Sequence, residues 1–208
     1  MKIRTASLGC ARNGRSILSG ISFDLAAGTC LVLRGPNGVG KTTLLKTLAG
    51  LLPPHQGTLQ IDADQIAYAG HLDAVKAQMT VAENLNFWAG VYGTGNIRAA
   101  LNKLELAALA DRPAHTLSAG QKRRLGLGRL LVSGRNIWLL DEPTASLDSL
   151  NTALLARVIS DHCAAGGIAI LSTHLDLPIR KVLTLELAEF AATSEQAATD
   201  PFLDEAFT

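Results

Sequence analysis

The sequence predicts an α/β fold: a mixed, largely parallel core sheet, an antiparallel β subdomain and an inserted helical subdomain. Three observations carry that expectation. Residues 35–43, Gly35-Pro36-Asn37-Gly38-Val39-Gly40-Lys41-Thr42-Thr43, fit the phosphate-binding pattern GxxxxGK[ST] and lie between an apolar strand run and a helical run. Residues 30–33, 137–140 and 168–171 are short and continuously apolar, as strands covered on both faces are. The chain opens differently, with two strand-like segments joined by the turn Arg12-Asn13-Gly14-Arg15, which makes an antiparallel start.

Taken in order, residues 2–8 and 17–25 form that first pair of strands, and Ala27-Gly28 turns the chain into the strand at 30–33. The glycines of the loop let the backbone curl so that successive N–H groups point inward, and the helix that follows adds its positive N-terminal end. Residues 58–61 and 65–69 read as short strands separated by Asp62-Ala63-Asp64, which suits a tight turn. From residue 80 the pattern is helical. Thr80-Val81-Ala82-Glu83 is a capping box, and Leu85, Trp88, Ala89 and Tyr92 follow at helical spacing. Residues 97–110 and 118–132 are expected to be the next helices, so the inserted subdomain spans about residues 72–134. Strands at 137–140 and 168–171 flank a crossover helix at 151–165, and 183–187 is a last strand. Residues 1–208 read as a single domain whose acidic, Ala/Thr-rich end, from about residue 191 to 208, is weakly ordered.

Composition limits the function. The chain is 48% hydrophobic but only 4% aromatic, so Leu, Ala, Val and Ile fill the interior. No apolar run approaches the roughly 18 residues of a membrane span, and Met1-Lys2-Ile3-Arg4 leads into strand-like sequence rather than a signal peptide. A cytosolic chain, held at a membrane only through a partner, is the expectation. Cys10, Cys30 and Cys163 are scattered and read as buried thiols rather than disulfides or metal ligands. Residues 1–181 carry all 19 Lys and Arg against 12 Asp and Glu, whereas residues 182–208 carry six acids and no base. Without aromatic residues interleaved to stack bases, the basic excess is not a nucleic-acid surface.

The chemistry-bearing residues sit at element ends. Lys41 is placed to reach β- and γ-phosphates, and the Thr42 hydroxyl is an oxygen donor suited to Mg²⁺. Asp141 and Glu142 follow the strand at 137–140, at the edge of the sheet that faces the phosphates; Asp141 suits the metal through water, and Glu142 suits a general base. Leu117-Ser118-Ala119-Gly120-Gln121 opens a helix with a hydroxyl and free N–H groups, which is an anion site or simply a good N-cap.

The loop, the stretch LSAGQ, the run WLLDEP, the turn Ser146-Leu147-Asp148 and His174 in LSTHL together resemble the ATP-binding cassette ATPases, a branch of the P-loop NTPases. That resemblance covers residues 3–187. It implies ATP and Mg²⁺ as cofactors and a head-to-tail homodimer, with ATP between the loop of one subunit and Ser118, Gly120 and Gln121 of the other. His174 would contact the γ-phosphate, and Asp148 would link the two sites across the interface. Two positions depart from the family. Arg12 stands where an aromatic usually stacks on adenine, and a guanidinium can lie flat on a base. His71 replaces a metal-contacting Gln, so it would act on the metal through water or as a link to a partner.

Gly70-His71-Leu72-Asp73-Ala74-Val75-Lys76, followed by Thr80-Val81-Ala82-Glu83-Asn84-Leu85, is similar to the haem-exporter ATP-binding subunits of the cytochrome c maturation system. The resemblance implies a peripheral ATPase on the cytoplasmic face of the bacterial inner membrane, bound to integral membrane permease subunits. Its cycle would drive haem export or release of a haem-loaded chaperone. Haem is not expected on this chain itself: there is no CxxCH, and His55, His71, His115 and His162 have no evident partners in the sequence. The helical segment around Glu83 to Tyr92, which bears Phe87 and Trp88, is expected with its neighbour His71 to dock the membrane partner. The ATPase of another exporter, or a soluble ATP-dependent switch, stays open as an alternative.

Overall fold

The structure, a computed structural model, describes residues 1–70, 73–145, 147–179 and 181–192. The strands are β1 (Lys2–Arg12), β2 (Arg15–Ala26), β3 (Cys30–Arg34), β4 (Gln56–Gln60), β5 (Ile66–Ala69), β6 (Ile137–Asp141), β7 (Ile168–Ser172) and β8 (Val182–Glu186). The helices are α1 (Lys41–Leu48), α2 (Val81–Tyr92), α3 (Arg98–Lys103), α4 (Ala119–Val132) and α5 (Ser149–Ala164).

The strands divide into two sheets of opposite hand of pairing. β2-β1-β4 is antiparallel, and β5-β6-β7-β3-β8 is parallel at every described pairing. Parallel and antiparallel pairs are thus segregated rather than mixed within the core sheet. Asn13 and Gly14 both take positive φ, 51° and 74°, which is the two-residue turn that matches the twist of β1 and β2. The Asp62-Ala63-Asp64 turn does not close a hairpin: it becomes a short 3₁₀ segment capped by the Asp62 side chain and carries the chain from one sheet to the other.

Alternation along the parallel strands assigns their side chains to two cores. Leu31, Leu33, Ile137, Leu139, Ile168 and Ile170 meet α1 and the antiparallel sheet. Val32, Trp138, Leu140, Ala169 and Leu171 meet α4 and α5 on the other face. A strand buried on both sides must be apolar throughout, which is why 137–140 and 168–171 show no polar positions. The helices α2, α3 and the start of α4 gather a third core around Leu85, Leu101, Leu104, Leu106 and Leu125.

One sequence expectation is corrected. The helix expected over 97–110 stops at Lys103: Glu105 takes φ 55°, Leu106 N–H bonds to Leu101 O at 2.8 Å, and a 3₁₀ turn at Ala107–Leu109 follows. No glycine marks this cap. Glu105 tolerates the left-handed position beside two cations, Arg157 at 3.1 Å and Arg124 at 3.7 Å. At the other end, Ala191 bridges to Leu18 and Ala192 N–H donates to Ile17 O at 3.0 Å; the rest of the acidic end, residues 193–208, lies outside the described residues.

Candidate nucleotide site

The phosphate loop connects β3 to α1 and folds as it does because of its glycines. Gly35, Gly38 and Gly40 have φ of 133°, 82° and 115°, in the region that side chains avoid. At Gly40 a Cβ would also fall 2.9 Å from Ile17 and Leu18, so the loop seats against β2 only with glycine there. Val39 lies against the core and hydrogen bonds through its N–H to Pro36 O at 3.3 Å, which closes the arch. No side chain caps α1, whose N-cap is Gly40, so its first-turn N–H groups are available to an anion. Lys41 is buried, and its ammonium donates to Gly35 O at 2.8 Å and Pro36 O at 3.1 Å. A cleft of about 360 Å³ opens here, lined by Asn37, Gly38, Gly40, Lys41, Thr42 and Thr43 together with Arg12, Glu142 and His174.

The acids reach the cleft from the ends of β6 and β7. Thr42 Oγ1 donates to Asp141 Oδ2 at 2.8 Å, and Ser172 Oγ donates to Asp141 Oδ1 at 2.9 Å. The same Ser172 hydroxyl accepts the Glu142 N–H at 2.8 Å. Glu142 has φ 47°, a strained conformation for a side-chain-bearing residue, and this turn aims its carboxylate into the cleft instead of along the strand. Glu142 Oε1 lies 3.9 Å from His174 Nε2, which is in turn 3.1 Å from Asn37 Oδ1. Arg34 secures the loop bearing His174, with Nη1 donating to Thr173 O at 2.8 Å and Nη2 to Asp176 at 2.6 Å. Burial, then the charge of Asp141, pushes the Tyr68 phenol up to about 12, so it stays a neutral wall beside the acid.

Ser118, Gly120, Gln121 and Asp148 are not in this cleft. Ser118 Oγ accepts the Gln121 N–H at 3.2 Å and the Gln121 side chain accepts the Ser118 N–H at 2.9 Å, a complete capping box at the start of α4. Asp148 caps α5, accepting from Asn151 N–H at 2.8 Å. Gly120 lies against Asn151: a Cβ there would meet its Nδ2 at 2.7 Å. The candidate residues therefore form two groups on one chain, a cleft and a separate patch. His71 and Ser146 lie outside the described residues.

The ABC transporter family profile matches residues 18–145. A cytochrome c biogenesis ATP-binding export protein, CcmA, of Cereibacter sphaeroides is 51% identical over 205 residues, covering 97% of this chain and 98% of that protein. The chain belongs to the CcmA family of ABC transporter ATP-binding proteins. The CcmA of Roseobacter denitrificans is also 51% identical, over 207 residues and the full length of both chains. Among solved structures, an ABC transporter ATP-binding protein of Pyrococcus furiosus superposes with a TM-score of 0.83 at 26% identity, covering 92% of this chain and all of the other. As a member of the ABC family the chain is an ATP-hydrolysing enzyme.

The ABC assignment calls for a divalent cation beside ATP, and the donor set fits one. Thr42 Oγ1 and Asp141 Oδ2 are hard oxygen donors already within 2.8 Å of each other, as Mg²⁺ prefers. They would hold Mg²⁺, which would neutralise phosphate charge. Sequence reasoning missed Ser172, Thr173, Arg34 and Arg123, which shape this CcmA-family site. Ser172 stands opposite Asp141 in the parallel register, and its hydroxyl ends an otherwise apolar strand. That lone polar position was the available signal. Thr173, fully buried, shares a hydroxyl hydrogen bond of 2.7 Å with Thr144.

Proposed function

We propose that the chain is the ATP-hydrolysing subunit of a membrane ABC complex for cytochrome c biogenesis, coupling hydrolysis to haem export or to release of a haem-loaded chaperone. The observation that carries this reading is 51% identity over almost the whole chain to cytochrome c biogenesis ATP-binding export proteins, joined to a phosphate loop with both acids in place. In this reading Lys41 and the N–H groups of residues 38–43 bind the phosphates, and Arg12 lies on the base. Glu142 takes the proton of the attacking water, and His174 donates a hydrogen bond where negative charge grows on the transferred group.

The two-group arrangement supports a head-to-tail homodimer, in which Ser118, Gly120 and Gln121 of one copy complete the cleft of the other and Asp148 joins the two sites. His71 would act on the metal through water. Residues 1–208 would work as one domain, with the α2–α4 part as the body that membrane permease subunits engage. No described helix is long and apolar enough to cross a membrane. By its likeness to the cytochrome c biogenesis ATP-binding export proteins, the reading has the chain peripheral at the cytoplasmic face of the inner membrane, with haem as cargo of the complex rather than a ligand of this chain.

Glu142→Gln tests it. The amide keeps the size of the carboxylate but cannot take a proton, so hydrolysis should fall by roughly 10²- to 10⁴-fold with ATP still bound. Cells carrying only this variant should lack c-type cytochromes; normal cytochrome levels with the inactive ATPase would sink the biogenesis role.

A further inference from the structure

The reading of Glu142 as the general base leaves open what holds it. Its strained peptide is gripped on both sides. Ser172, from the sheet, takes the N–H; Arg123, from α4, gives its Nη2 to the Glu142 carbonyl at 2.8 Å. Arg123 also donates through Nε to Pro143 O at 3.2 Å, and its guanidinium is buried, with a side-chain exposure of 10%. The planar fork spans two successive carbonyls, which a Lys could not do.

The remaining edge of the fork meets Asp73, with Nη1 2.6 Å from Oδ1. Asp73 lies on the segment that joins β5 to α2. Gly126, on the same helix as Arg123, lets that segment come close: a Cβ there would fall 2.7 Å from Asp73 O. The segment is also tied to α2, because buried Asn84 accepts the Lys76 N–H at 2.8 Å and donates to the carbonyls of Lys76 and Thr80 at 3.0 and 2.9 Å. Hydrogen bonds thus hold Lys76 to α2 and join Asp73 through Arg123 to the backbone of Glu142, with the short stretch of chain from Asp73 to Lys76 between them.

We propose that Arg123 is a positioning residue for Glu142, and that Asp73 sets Arg123, so the placement of the base follows the placement of the segment before α2. Neither residue lines the nucleotide cleft. Losing Asp73 should leave nucleotide binding intact while the base drifts, and a misplacement of about 1 Å can cost on the order of 100-fold in rate.

The test compares the full-length chain with Asp73→Asn, Asp73→Glu, Arg123→Gln and Glu142→Gln, measuring kcat, KM for ATP and nucleotide affinity. Expected are a fall in kcat of about ten- to a hundredfold for Asp73→Asn and Arg123→Gln, KM and affinity within about twofold, and substantial recovery with Asp73→Glu. If Arg123→Gln does not fold, Asp73→Asn, at the half-exposed end of the pair, decides the matter. Added to Glu142→Gln, Asp73→Asn should cost nothing more, because the group it positions is already disabled. An unchanged kcat in Asp73→Asn, a parallel loss of kcat and affinity, or additive losses in the double variant would each overturn the proposal. Full activity in Glu142→Gln would instead overturn the reading of Glu142 as base, an outcome that the other variants cannot mimic.

Discussion

At the scale of single residues the proposed function gives Lys41 the phosphates and Arg12 the base within one cleft, and the two are open to separate tests. Lys41 is a buried point charge at the loop, so Lys41→Ala should lower Mg-ATP affinity by about 2 to 4 kcal/mol; retained affinity in a nucleotide titration would make the loop incidental. Arg12 lines the same cleft from the end of β1, where a guanidinium can stack on a base. Arg12→Ala should weaken ATP and alter its preference over GTP, and unchanged affinities for both would move base recognition elsewhere. His162 contributes to the response of stability to acid. His162 stacks on Trp138 with ring centroids 3.7 Å apart, and burial holds its pKa below the ordinary 6.5 despite hydrogen bonds to backbone at Asn136 and Ile168. The unfolded chain then binds a proton before the folded one does. The histidine contributes nothing above its ordinary pKa, reduces stability as pH falls below it, and adds no further loss once the folded protein is protonated too. His162→Phe should therefore flatten the acid side of the Tm profile between about pH 7 and 5; an unaltered slope would assign it to other groups.

At the scale of elements, α2 divides its residues between the helical core and the surface. Thr80 and Glu83 complete its capping box, and Gly93 ends it in the left-handed conformation at φ 72°. Val81, Leu85 and Ala89 face the helical core, and Trp88 packs against that core rather than standing free, so the aromatic concentration seen in the sequence has two purposes. Phe87 is 38% exposed and Val91 59% exposed, with Lys76 Nζ 4.3 Å above the Phe87 ring. This is the part available to a membrane subunit. Phe87→Asp should fold and hydrolyse ATP yet fail to copurify with integral membrane proteins, whereas Trp88→Asp would confuse docking with core damage. Copurification at wild-type levels would remove α2 from the interface.

At the scale of the molecule, the proposed head-to-tail pairing of the cleft with Ser118 and Asp148 of a second copy predicts an assembly state that depends on nucleotide. With turnover blocked by Glu142→Gln, Mg-ATP should convert monomer to dimer in light scattering. Adding Ser118→Arg should keep the chain monomeric with ATP still bound, because Ser118 is exposed at the start of α4 and outside the cleft. The lost cap costs about 1 kcal/mol, too little to unfold the domain. Dimers of the double variant would exclude Ser118 from the interface.

What the sequence determined by itself is local. The phosphate loop, the capping boxes at Thr80 and Ser118 and the Asn13-Gly14 turn are all decided within a few positions, by backbone freedom and by side chains reaching N–H groups three residues away. The fully apolar strands were legible because burial on both faces leaves no choice of composition. The Schellman-type stop at Glu105 was not: Leu101 and Leu106 are close in sequence, but the Leu85 and Leu125 side chains of the core they join, and the cations Arg124 of α4 and Arg157 of α5, lie outside any window around residue 105. Nor could the pairing of β5 with β6 rather than β4 be read, because strand neighbours depend on which crossover packs a face. The site was legible as a set of chemical groups. Its geometry was decided by the tertiary structure: Thr42 meets Asp141 across 99 positions, Ser172 meets Glu142 across 30, and Arg123 reaches the same peptide from a helix. Contacts between distant segments follow from strand order and register, which the whole core sets at once.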